Sequence, residues 1–385
     1  MTCSNSSNRR AVMMKSGLLA ASAVWGGSPN VWAQGAKAGN AKSLVIAQIV
    51  DTSQGQQDVS KDFLIGARAA WQDINLKGGI RGQKVVHLTV ETDGTSNSIQ
   101  QAVEAIQNNA SCVALSGSVG DRVATQVMKA SSRGMLTMAH AAPWLQSSDR
   151  EIDDRTFPIF APRQAQIAYA LKTLSVMGLK ELGAVYGSAQ EHAAHHEELE
   201  KIAIRLQLKL QVFQPDGNLL RLLGQKLTPA TPAVLLFLGG TPELAAFTQG
   251  LGMQARQRYI VALADVNLQV LKDMGVVRGT SIIATQPVPL DTAALPIVMM
   301  YREALSRLFD EPTTALSLAG FIAARYTSEV LMSVNTPLTR QNVLAAFQKR
   351  SDLDMGGFRV SFDAQQRGSH YVTQSMLSRD GRQIG

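Results

Sequence analysis

The sequence predicts an α/β protein made of two doubly wound parallel-sheet lobes joined by a three-stranded hinge. Three observations carry that prediction. Residues 44–49 and 85–90 are short apolar runs that read as buried strands, and the stretch between them has helical periodicity. The alternation of strand and helix continues to about residue 139 and resumes over 164–285. Polar or proline-bearing segments at 149–162, 287–289 and 335–337 interrupt it and read as crossings between the lobes. A chain of 385 residues suits two lobes better than one.

In the first unit, Phe63, Ala67, Ala70, Trp71 and Ile74 fall on one helix face. Lys77 sits in the last turn, Gly78-Gly79 stops the helix, and Gly82 turns the chain into the next strand. Thr92-Asp93-Gly94 makes another turn. A helix over 98–108 follows, with Ile99, Ala102, Val103 and Ile106 inward and Ser98 and Gln101 as a capping box. The strand 112–116, the loop 117–120, the helix 121–132 and the strand 135–139 complete the first set.

The second set runs as helix 164–177, strand 182–186, helix 191–206, strand 208–212, helix 218–227 and strand 233–238. Helix 242–251, strand 259–263, helix 265–274 and strand 281–285 follow. Helices over 296–309 and 314–334 then return to the first lobe. Arg325 and Glu329 interrupt the apolar face of the second one, which excludes a membrane span. A helix over 339–350 and strands over 358–362 and 371–377 end the chain. This division assigns 42–162 and 287–336 to the first lobe, and 163–286 and 337–385 to the second.

A composition of 45% hydrophobic and 17% charged residues supports a full core. The net charge is +7, and Arg9, Arg10 and Lys15 supply three of those charges from a segment expected to be removed. The remainder is modest and scattered, and no zinc-finger or RNA-binding motif is present, so nucleic acid is not an expected partner. Residues 1–33 read as an export signal with a basic start, an apolar run over 17–25 and a cleavage site at Val31-Trp32-Ala33. Arg9-Arg10 gives a loose twin-arginine match, which leaves the export route open. Cys3 precedes the apolar run and cannot be a lipoprotein cysteine. Cys112 stands alone in the remaining chain and reads as a buried thiol.

The segment Gly66-Ala-Arg-Ala-Ala70-Trp-Gln-Asp73-Ile-Asn75-Leu-Lys-Gly78-Gly79-Ile-Arg-Gly82-Gln-Lys84 resembles the periplasmic leucine/isoleucine/valine-binding protein family, and the resemblance runs from about Ser43 to Gly385. It implies a type I periplasmic binding clamshell: an extracytoplasmic receptor of an ATP-binding-cassette importer. Such a receptor is a periplasmic monomer without cofactor, takes a small amino-acid-like or carboxylate solute, and has an inner-membrane permease as partner.

Candidate ligand residues follow from where loops leave strands, because open α/β sheets bind ligands there. Ser116, Gly117, Ser118 and Val119 lie between a strand and a helix, where amides and hydroxyls can hold a carboxylate; the family uses the corresponding segment so. A tight turn explains the same residues. Ala139, His140, Ala141 and Trp144 align with the family's second ligand segment. Its usual Thr is here Pro143, which has neither hydroxyl nor N–H. Trp144 either stacks on a planar ligand or covers the lobe surface.

The resemblance also implies an acidic residue three before Gln166, pairing with a ligand ammonium, but this chain has Arg163. Facing the cleft, Arg163 would favour an organic acid over an α-amino acid; otherwise it points to solvent. Gln57 and Asp58 in the first loop, Thr241 after Gly239-Gly240, and Asp265 after a strand complete the set. His192 and His196, spaced i, i+4, form an incomplete metal pair, and no metal is expected.

Two other functions stay open: the same fold as a sensor for a membrane kinase, and a secreted hydrolase. The hydrolase would draw on Ser118, His140 and Asp265, but no motif links them, and Ser116 stands where a nucleophile elbow needs Gly.

Overall fold

The computed structural model describes residues 44–385 apart from 147–150, 216, 218, 253, 255, 276–279, 379–382 and 385. The expected export signal, 1–33, with Cys3, lies outside the described residues. The described residues belong to one compact unit, Lys42–Gly385.

The first lobe is laid down by β1 (Leu44–Asp51), α1 (Gln57–Leu76), β2 (Val85–Thr92), α2 (Ser96–Asn108), β3 (Cys112–Ser116), α3 (Asp121–Ser132), β4 (Ala139–Ala141) and β5 (Thr156–Phe157). Its five strands lie in the order 2-1-3-4-5, all parallel. The second lobe follows with α4 (Arg163–Val176), β6 (Glu181–Tyr186), α5 (Ala189–Arg205), β7 (Lys209–Phe213), α6 (Leu220–Lys226), β8 (Val234–Leu238), α7 (Thr241–Leu251), β9 (Tyr259–Ala262), α8 (Leu268–Asp273) and β10 (Ser281–Gln286). Here the parallel order is 7-6-8-9-10, the same winding. In each sheet the order reverses beside the first strand, which opens a crevice at the strands' carboxyl ends.

The chain then returns to the first lobe with α9 (Pro296–Leu308) and α10 (Ala315–Met332). After α11 (Arg340–Gln348) come the short pair β11 (Leu353–Asp354) and β12 (Arg359–Val360). Last are β13 (Thr373–Leu377), antiparallel to β10, and β14 (Gln383–Ile384), antiparallel to β13. The sequence reading sends the whole of 337–385 to the second lobe. Val343, Phe347, Phe358 and Val360 instead belong to the first lobe's core, because α11 packs on β3 and β4. Only from Thr373 does the chain join the second sheet.

Local differences have local causes. The helix cap is Thr95, whose side chain accepts from the Ser98 amide, so α2 begins before the expected Ser98 box. The strand expected over 135–139 pairs only as Ala139–Ala141; Leu136 and Met138 are buried in the approach to it. Gln57 and Asp58 form the first turn of α1 rather than a loop.

The motif around residue 66 has a packing explanation. Phe63, Ala67, Ala70, Trp71 and Ile74 are all buried, as their spacing predicts. Asn75 receives the Val85 amide and donates to the Val85 carbonyl, both at 2.8 Å, and so fixes the start of β2. Gly79 donates to Ile74 O at 2.9 Å and holds φ +73°, which ends the helix. Where α1 meets α10 there is no room for side chains. A Cβ on Gly66 would lie 1.6 Å from Ser317 O, and one on Gly320 would lie 1.9 Å from Phe63 O. Among the described residues, no helix is long and apolar enough to cross a membrane.

Gly320→Ala must therefore push the two helices apart, at a cost of about 1–3 kcal/mol or more. Urea unfolding is expected to show a lower midpoint with unchanged slope. An unchanged midpoint would mean that the helices do not approach this closely.

Candidate functional site

The loop after β3 is folded into the first lobe. Ser116 shares a 2.7 Å hydrogen bond with Thr327 of α10. Gly117 takes φ +72° and donates to Ala141 O at 2.9 Å; a Cβ there would meet the Phe63 ring. Ser118 Oγ lies 2.5 Å from His140 Nε2, and its carbonyl accepts the Trp144 amide. Ser118, Val119, Ala139, His140 and Ala141 are all at most 1% exposed. Both serine hydroxyls thus have protein partners. Burial pushes the His140 imidazole down to about 4, despite Asp153 acting in the other direction.

Trp144 does not present an open stacking face. It is 2% exposed, stacked on Phe160 at 5.2 Å and edge-on to Phe63.

The other predicted residues gather where the lobes face each other. Arg163, at the start of α4, is buried, which its solvent-facing alternative did not foresee. Its fork is also taken. Nη2 and Nε donate to Asp265 Oδ2 at 2.7 and 3.1 Å, Nη1 donates to Glu191 Oε2 at 3.2 Å, and His195 Nε2 touches Nη1. The expectation that Arg163 offers its guanidinium to a solute carboxylate meets carboxylates already in place. Burial works against its charge, but Asp265 and Glu191 outweigh that, and the guanidinium's pKa is raised.

Gln146 continues the chain of contacts into the first lobe. Its amide donates to Asp121 Oδ1 at 3.0 Å and its Nε2 to Asp265 Oδ1 at 3.0 Å. Gln166 braces it, donating to Gln146 Oε1 and Ala161 O and accepting from the Ala264 amide. Asp121, Gln146, Asp265, Arg163 and Glu191 therefore form one ladder between the lobes.

A second ladder lies beside it. Asn267 caps α8, its amide donates to Thr241 Oγ1, and its Nδ2 reaches Asp62 Oδ2 at 3.1 Å and Asp58 O at 3.4 Å across on α1. Thr314 Oγ1 donates to the same Asp62 oxygen at 3.0 Å. Burial pushes Asp62 above the usual carboxylate range. Among the described residues, neither buried Asp58 carboxylate oxygen has a hydrogen-bond partner, whereas Gln57 is exposed.

Acid outweighs base along the first ladder. Burial raises the pKa of Glu191, and Asp265, Glu243 and Asp121 raise it further, against the opposing pull of Arg163. Asp265, Glu191 and Asp121 act on Arg163, and Asp121 acts on the buried Arg367 as well, so two guanidinium groups stand among these carboxylates.

Sequence reasoning missed Asp62, Asp121, Gln146, Glu191 and Asn267. Only Asn267 carried a signal, as an Asn before a short helix. His192 and His196 stack ring on ring at 4.5 Å against Tyr186 rather than opening toward an ion. Among the described residues, no group of three His, Cys, Asp or Glu is placed to hold a metal. Cys112 is buried, and its thiol is pushed up by burial.

Comparison with known proteins agrees with this architecture. The profile of the periplasmic binding protein family matches residues 43–381, so the chain belongs to that family. An extracellular ligand-binding receptor from Verminephrobacter eiseniae superposes with a TM-score of 0.79 at 19% identity, covering 89% of this chain and all of that one. A substrate-binding periplasmic protein from Ralstonia solanacearum gives 0.78 at 20%, covering 89% and 99%. A branched-chain amino acid ABC transporter protein from Thermus thermophilus, with bound valine, gives 0.75 at 12%, covering 89% and 94%. No curated protein matches the sequence.

Two measurements test the geometry. Arg163→Ala strands Asp265 and Glu191 and is expected to cost about 3 kcal/mol in urea unfolding. Adding Asp265→Ala should cost less than the sum of the two single changes, and strict additivity would show that the pair is not coupled. For His140, the imidazole titrates near 6.5 when unfolded and near 4 when folded, so the unfolded chain binds more protons between those values. Stability should fall as pH drops below 6.5 and level off below about 4, by on the order of 3 kcal/mol from this group. His140→Gln should flatten that slope.

Proposed function

We propose that this protein is the extracytoplasmic receptor of an ATP-binding-cassette importer, working in the periplasm as a monomer. It captures a small amino-acid-like solute between its lobes, closes by hinge motion, and delivers the solute to an inner-membrane permease. No bond of the solute is made or broken, so its recognition rests on hydrogen bonding and charge.

The observation that carries this reading is the ladder Asp121–Gln146–Asp265–Arg163–Glu191, which links side chains of both lobes where the two sheets face each other. A solute held there contacts both lobes and so favours their closure. The excess of carboxylates around Arg163 supports a cationic nitrogen on the solute. That shifts the balance away from a simple organic acid and toward an amino-acid head group, the class seen in the valine-bound Thermus relative.

A thermal-shift panel of aliphatic, aromatic and basic amino acids, each beside the carboxylic acid lacking its amino group, tests the proposal. Amino compounds should stabilise the protein, by on the order of 3 kcal/mol at a hundredfold excess over the dissociation constant. The deaminated acids should not, and Asp265→Asn should weaken the response. A shift with the acids alone would reverse the assignment of charge. Silence across the panel would count against the receptor itself.

A further inference from the structure

The proposed solute site rests on the first ladder; the second has Asn267 at its centre. Asn267 is 1% exposed. Its Oδ1 accepts from the Gln269 and Val270 amides at 3.1 and 3.2 Å, which caps α8. Its backbone N–H donates to Thr241 Oγ1 at 2.9 Å and ties α8 to the start of α7. Its Nδ2 crosses to the first lobe, donating to Asp62 Oδ2 at 3.1 Å and, at 3.4 Å, to Asp58 O. A side-chain amide has two donor and two acceptor positions, so Asn267 has none left for a solute.

The receiving side is equally committed. Asp62 Oδ2 also accepts from Thr314 Oγ1 at 3.0 Å, and Thr314 caps α10 through the Ser317 amide. One carboxylate oxygen thus joins the N-cap residues of two helices, α8 from the second lobe and α10 from the first. The backbones of α1 and α10 meet at Gly66 and Gly320, so Asp62 and Thr314 stand on one closely packed surface. Opening the lobes would carry Asn267 away from that surface and break its bond to Asp62, while the cap of α8 and the bond to Thr241 would travel with it.

We propose that Asn267 is a closure latch: it holds the lobes together in the solute-free protein and touches no solute. The proposal rests on the reading of the protein as a receptor that closes on its solute. A solute that binds only the closed form has an apparent dissociation constant equal to the intrinsic one divided by the closed fraction. Asn267 therefore scales the affinity for every solute by one common factor. A residue that contacts the solute would instead change the ranking among solutes.

Asn267→Asp tests this with the helix cap preserved, since Asp caps a helix as well as Asn does. It sets a carboxylate oxygen against Asp62 Oδ2 in place of the Nδ2 donor, and should lower the closed-to-open ratio about tenfold or more. Small-angle X-ray scattering of the solute-free protein should match the closed structure for the natural chain and show a larger radius of gyration for the variant. Adding Asp62→Asn restores a donor and acceptor in the reverse direction at unchanged net charge, and should restore the compact profile. In titrations with valine, phenylalanine and lysine, Asn267→Asp should weaken each solute that binds by the same factor, and the double variant should recover it. The proposal is overturned if the solute-free natural chain is already open, if Asn267→Asp stays closed, or if Asp62→Asn fails to restore closure. Losses that differ from solute to solute would make Asn267 a contact residue and overturn it as well. Scattering needs no solute, so silence across the amino-acid panel counts against the receptor reading while the latch is judged on its own.

Discussion

A guanidinium that leaves water must have its donors and its charge met by the protein, and at the junction of the lobes Arg163 is met by carboxylates. It opens the first helix of the second lobe, directly after the crossing from the first. Its backbone amide is held by the Gln146 carbonyl, and its side chain by Asp265 and Glu191. Because Asp265 also accepts from Gln146, and Gln146 from Gln166, the crossing, α4 and the loop after β9 are fixed together. Several acids meet here because two buried bases, Arg163 and Arg367, need them.

Much of the architecture was legible because it rests on periodicity. Helix faces such as Phe63 to Ile74 and strands such as Cys112–Ser116 are set by which residues must leave water. Glycine punctuation was equally readable at Gly78-Gly79, where a left-handed backbone is needed. The path of residues 337–372 was not, since the apolar residues of α11 say that it packs somewhere and do not say on which lobe. Short elements such as Ala139–Ala141 depend on strand pairing across the sheet, a long-range term that no local pattern reports.

The candidate site was legible only in part. Spacing and resemblance led to Arg163, Gln166, Thr241 and Asp265, which do lie close to the interlobe contacts. The state of those residues was hidden, because a side chain's charge partner depends on folding. Glu191 sits 28 positions from Arg163 and Asp265 sits 102 away. Gln146 offered no signal at all: a lone Gln in a polar stretch gives no hint that it will join two lobes. The serines of the loop after β3 were visible, but not the Thr327 and His140 that occupy them.

The antiparallel return of β13 bears on how the molecule is assembled. β10 has β9 on one side and β13 on the other, and β13 comes nearly ninety residues later in sequence. At roughly 5–20 residues per second, a ribosome takes several seconds to supply it. Through that interval a nascent second lobe would carry a bare strand edge, open to pairing with any other extended chain. Holding the polypeptide extended until the last strand is available would avoid that hazard, so delayed folding suits this topology.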